Sequence, residues 1–170
     1  MISLALLRVA PLLSATSYAT FTFSGDTFIR PSAHTAPSTA NRILPGLHAF
    51  TRSGLPFIFL SYPVSIAAAT ANLMQLDSCM NFDGDGALRT GAAAFFYLAG
   101  LIFTMVHFPF WPIAMAYLDC VGTDKGLEGD PRADNTASMV SWFNIHTNHG
   151  LVTGLLSWGC YLAAFMCAVP

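Results

Sequence analysis

A chain of 170 residues with mean hydropathy +0.55 and only 9% charged residues has too little charge to cover a water-exposed surface, which excludes an ordinary soluble domain. Its net charge of -2 leaves no basic footprint for nucleic acid. The cysteines Cys79, Cys120, Cys160 and Cys167 have neither the paired spacing of a zinc site nor the density of a disulfide scaffold, and they read as small apolar residues.

A bilayer core about 30 Å thick needs roughly 20 mostly apolar residues per helix, and four stretches meet that length. The first covers residues 4–23, interrupted by Arg8 and Pro11. A cleaved signal peptide is the competing reading there, but the stretch outruns the usual apolar region of about 7 to 15 residues. The second, 54–76, carries no charge. The third is clear from Gly91 and reaches residue 112, with a continuation to Leu118 past a proline kink at Phe108-Pro109. The fourth covers 150–168, prefaced by a turn at the interface from Met139. The expected fold is therefore all-α, a transmembrane four-helix bundle forming a single integral membrane domain over 1–170, with the lipid bilayer as its main partner.

Polar segments at 24–53, 77–90 and 119–138 connect the spans, and none is long enough for a soluble domain. The first and third share one side and hold Arg30, Arg42, Arg52, Lys125 and Arg132, against Arg89 and Arg8 opposite. The positive-inside rule then puts both termini away from the cytosol, in a multi-pass protein of an endomembrane. Asp83-Gly84-Asp85-Gly86 starts like a calcium loop but lacks the distal ligands, so it reads as a solvated turn.

Polar residues at membrane depth are costly and usually face other helices or a cavity. Ser61, Ser65, Ala68 and Asn72 share a face of the second span, and Tyr97, Gly100, Thr104 and His107 share one on the third. Trp142, His146, His149, Thr153 and Cys160 do so on the fourth. Ordinary helix packing accounts for the glycines and hydroxyls. Asn72 is harder to dismiss, because a buried amide needs partners for its donors and its acceptor.

His107, His146 and His149 form the main constellation. If the third and fourth spans pack antiparallel, all three meet at one end of the bundle. Neutral imidazole accepts a proton as a general base or binds a metal, and hydrogen bonding to headgroups or loop carbonyls is the third reading. No nucleophile elbow, phosphate loop, dinucleotide fingerprint or metal motif of recognised spacing occurs.

The chain resembles the small membrane proteins grouped with the anthrone oxygenases of fungal aromatic polyketide biosynthesis. The resemblance is carried by Leu47-His48-Ala49-Phe50-Thr51-Arg52-Ser53-Gly54, by Asn72, by Phe96-Tyr97-Leu98-Ala99-Gly100, by His107-Phe108, and by Trp142 with His146 and His149. In the family's last motif the third position is Arg, where this chain has His149. The resemblance implies a monooxygenase of secondary-metabolite biosynthesis that oxidises an anthrone-like aromatic polyketide to a quinone. It implies molecular oxygen as co-substrate, no cofactor and no metal. His107, His146 and His149 would then be catalytic, with Asn72, Tyr97 and Trp142 binding the hydrophobic aromatic substrate. Association with other pathway enzymes would suit such a setting. A membrane cyclase or isomerase of the same kind of pathway, or a non-enzymatic scaffold or carrier, are the competing functions.

Overall fold

The computed structural model describes residues 4–33, 37–78, 85–122 and 135–168, and among them all regular structure is helical. Helix α1 is Leu4–Ser24, followed by a five-residue π turn, Gly25–Ile29, and the single turn α2, Arg30–Ala33. Helix α3 is Pro37–Ser78, α4 is Asp85–Val106, α5 is Trp111–Gly122 and α6 is Asn135–Ala168. Four helical units are long and apolar enough to cross a membrane: Leu4–Ser24, Thr51–Leu76, Gly86–Val121 and Ala137–Ala168. The fold is an all-α four-helix bundle with the architecture of a multi-pass membrane protein.

Two helices start well before their apolar stretches. The connecting segment 24–53 is largely helical, because α3 begins at Pro37, and α6 begins at Asn135 rather than near Gly150. Apolar length marks where a helix can cross a bilayer, whereas the backbone hydrogen-bond ladder continues into the headgroup region wherever neighbours support it. Asp83 and Gly84 of the expected turn lie outside the described residues, and Asp85 already opens α4. Most of the segment 119–138 and Cys79 are also outside them.

The bundle runs up, down, up, down, with α1 packed on α3 and α6, and α4 packed on α3 and α6. The first turns of α1 and the end of α6 come to one face, where the Arg8 guanidinium donates to the Ala168 carbonyl at 2.5 Å. That contact supplies a donor to one of the carbonyls left unpaired at the end of α6 and sets a positive charge against its negative dipole end. Outward-facing Phe95, Ile102 and Met105 on α4 are about half exposed or more, a surface suited to lipid and costly in water.

Small residues set the spacing of α4 and α6. A Cβ on Gly100 would lie 2.6 Å from Tyr161 Cε1 and 2.8 Å from its Cδ1. The Tyr161 ring is fully buried and its hydroxyl is held 3.0 Å from Thr104 Oγ1, so it has nowhere to retreat. Gly100→Val is expected to destabilise the bundle by about 1–3 kcal/mol through overpacking, read as a lowered unfolding midpoint in detergent micelles; an unchanged midpoint would show that the helices part without cost.

Candidate active site

The third span breaks where Pro109 and Pro112 interrupt the hydrogen-bond ladder. Proline has no N–H and its ring crowds the carbonyl four residues back, so α4 ends at Val106 and one turn of 3-10 helix, Phe108–Phe110, leads into α5. His107 occupies the last position before that turn, and its carbonyl accepts the Phe110 N–H at 3.2 Å. Broken helices at membrane depth are tolerated only where protein or a cavity receives the irregular backbone. Here a cavity does so.

Around His107 the packing is aromatic and hydroxylic. The Tyr18 hydroxyl lies 3.2 Å from Nδ1 and 3.3 Å from Nε2, and the Tyr62 ring stacks on the imidazole at 5.1 Å and 15°. Thr153 Oγ1 sits 3.4 Å from Nδ1. The Thr153 hydroxyl proton is already committed to the His149 carbonyl at 2.5 Å, so toward His107 its oxygen can only accept. With the ring proton on Nδ1, Thr153 accepts it and Nε2 keeps the lone pair, 3.3 Å from the Tyr18 hydroxyl.

His146 and His149 face the same cavity from α6. His146 is stacked on Trp142 one turn earlier, with centroids 4.7 Å apart and planes 9° from parallel. His149 lies against Phe110, ring on ring at 3.5 Å. The lining thus unites His107, His146, His149 and Trp142 with Tyr18, Phe21 and Thr51. The antiparallel packing of α4 with α6 brings the expected trio together. Among the described residues no group of His, Cys, Asp or Glu has the arrangement of a metal site.

Asn72 and Tyr97 are elsewhere. Tyr97 is fully buried and donates its hydroxyl to the Arg8 carbonyl at 3.0 Å, while Asn72 Nδ2 donates to the Leu7 and Ala68 carbonyls, each at 2.8 Å. Leu7 and Arg8 stand ten or more residues along α1 from Tyr18, which at 1.5 Å per residue is about 15 Å of helix. These two expected substrate-binding side chains therefore do not line the histidine cavity. Asn72 repairs α1 instead: Pro11 has no N–H for the carbonyl of Leu7 four residues before it, and Asn72 supplies the missing donor.

The sequence reading missed Tyr18, Tyr62 and Phe110. Tyr18 had a signal, because Pro11, Ser14, Ala15, Tyr18 and Thr22 all bury on one face of α1, the same spacing that singled out the other helices. Tyr62 and Phe110 carried no periodic signal beyond that of any aromatic in an apolar helix.

Comparison with known proteins gives two relatives of nearly equal length. Epoxidase pydX of Acremonium sp is 30% identical over 173 residues, covering 98% of this chain and 96% of its own length. Probable epoxidase scpX of Mollisia scopiformis is 27% identical over 168 residues, covering 96% of each chain. No protein-family model and no solved structure matches the chain.

Proposed function

Because the chain belongs to the family of the fungal epoxidase pydX, we propose that it is a membrane-embedded oxidative enzyme of secondary metabolism, transferring oxygen from dioxygen to a hydrophobic phenolic or enolic substrate. The observation that carries this reading is His107 at a break in a membrane-spanning helix, hydrogen-bonded by Tyr18 and facing a cavity shared with His146, His149 and Trp142. The epoxidase name of the relatives favours an epoxide product. The resemblance to anthrone oxygenases favours a quinone, and one intermediate leads to either.

The chemistry begins with an acidic C–H beside a phenol or carbonyl. His107 Nε2 takes that proton once the substrate C–H displaces the Tyr18 hydroxyl from it. The resulting carbanion is stabilised by hydrogen bonds from His146 and His149 to its enolate oxygen, as donors aimed at developing charge do. It passes one electron to dioxygen, and the radical pair joins to form a C–O bond. The proton returns from His107, so that R–H plus O2 gives R–OOH. Loss of water from the hydroperoxide of a methylene yields a carbonyl, as in anthrone to anthraquinone. Transfer of its outer oxygen to a neighbouring C=C yields an epoxide and leaves R–OH. The substrate supplies all the electrons in both branches, and oxygen and substrate are both lipid-soluble.

The test is incubation of membranes containing the protein with a hydroxylated anthrone, and separately with a phenolic enone, under isotopically heavy dioxygen. Heavy oxygen is expected in the product faster than in control membranes. Product that forms equally well without oxygen, and carries no label, would replace this reading with the cyclase or isomerase; no product from either compound would leave a scaffold or carrier.

A further inference from the structure

The geometry points to a separate lipid-facing groove that binds a flat hydrophobic molecule bearing hydroxyl groups and delivers it to His107 past a wall centred on Phe21. Delivery rests on the oxygen-transfer reading, whereas binding in the groove does not.

Size argues first. The cavity at the histidines has a volume of about 30 Å³, room for a water or two and far below the roughly 300–1,000 Å³ of a site for an organic ligand. Beside it, between α1 and α3, runs a groove of about 610 Å³. Its floor includes Thr16, Ser17 and Thr20 of α1 and Phe57 of α3, and its end is formed by Gly25 and Phe28 of the π turn. There the Arg30 N–H reaches back five residues to the Gly25 carbonyl, which widens the helix by one residue, a device frequent at functional sites.

Polarity argues second. Thr16, Ser17 and Thr20 donate their hydroxyl protons to the carbonyls of Leu12, Leu13 and Thr16 at 2.8, 3.0 and 2.8 Å. Thr16 Oγ1 already accepts the Trp158 indole N–H at 3.0 Å, so it is the Ser17 and Thr20 oxygens that, with their protons committed, are left to accept from an occupant. An acyl chain has no donor to give them; a phenol or enol does. A flat phenolic or enolic molecule dissolved in the bilayer is thus the occupant the groove suits.

Continuity supplies the third element. Phe21, Thr51 and Trp142 line both the groove and the histidine cavity. Trp142 is pinned by its stack on His146. Phe21 is half-buried and meets His146 edge-on at 6.3 Å. On its other side the ring lies close against Gly54, where a Cβ would come within 2.7 Å of Phe21 Cε2. Phe21 is thus the side chain that stands between the groove and the histidine cavity.

Photolabelling tests this without turnover. The protein in phosphatidylcholine liposomes is irradiated with 4-hydroxybenzophenone, a phenolic photoreactive probe, and adducts are mapped by peptide mass spectrometry. Saturable labelling is expected on residues 16–28 and on Phe57, falling about tenfold in Thr20→Trp, a lipid-facing change that fills the groove without touching the core. Labelling that never saturates, is spread equally over Phe95, Ile102 and Met105 of α4, or survives Thr20→Trp would mean lipid fills the groove and would overturn the binding site. For the wall, Phe21→Ala is expected to raise adducts on the cavity residues Met115 and Ile145 several-fold. No rise would remove the gate. Because neither result depends on oxygen chemistry, the groove can stand if the proposed reaction fails.

Discussion

Replacing His107 with alanine is expected to lower oxygen-dependent turnover by about 10²–10⁴-fold, the usual contribution of a positioned general base. The prediction is specific to Nε2. Thr153 can only accept from Nδ1, because its own proton goes to the His149 carbonyl, and this leaves the other nitrogen to receive the substrate proton. Tyr18→Phe keeps the ring that packs on Tyr62 at 4.8 Å but removes the hydroxyl that competes with the substrate for the His107 lone pair. It should lower KM by up to about tenfold, roughly the worth of one hydrogen bond, with kcat little changed. The measurement is initial rate in proteoliposomes at matched protein content and matched unfolding midpoint. Full turnover in His107→Ala would eliminate His107 as the base and leave His146 and His149 to be tested in the same way.

Asn72→Leu should damage the fold rather than the chemistry. The amide spends its two N–H groups on the carbonyls of Leu7 and Ala68, and the Leu7 carbonyl is the one Pro11 leaves without a partner. Leucine in its place strands that carbonyl in an apolar interior, at a cost of about 1–3 kcal/mol. The cause can be isolated with a second change, because Pro11→Ala restores a backbone donor to the same carbonyl. Asn72→Leu alone should lower the unfolding midpoint in detergent, and the Pro11→Ala/Asn72→Leu pair should regain most of the loss, a non-additivity expected of groups sharing one partner. Additive effects would show that Asn72 acts independently of the proline. Turnover per folded molecule should stay close to that of the unchanged protein, since the amide lies about 15 Å along α1 from Tyr18. A selective loss of kcat would return Asn72 to the reaction.

Both expectations separate what can be read along the chain from what depends on packing across it. Low charge and four long apolar stretches determined an all-α membrane bundle, because unsatisfied backbone in lipid leaves only helices or closed barrels and the period of the polar stripes is helical. The same stripes singled out His107, His146, His149 and Trp142, since residues spaced by whole turns of one helix share a face whatever its neighbours are. A proline after Phe108 likewise announced a kink in the third span. The sequence by itself could not say which of those faces meet. Asn72 and Tyr97 satisfied the same periodic rule as the histidines, yet they are engaged with the backbone of α1 at the other end of the bundle, because register between antiparallel helices is set by side-chain packing and by the stranded Leu7 carbonyl. Tyr18 and Tyr62 became partners of His107 only when α1 and α3 closed against α4. The groove beside Phe21 depends on the same closure, because its walls come from helices far apart in sequence and its volume is the space their side chains leave unfilled.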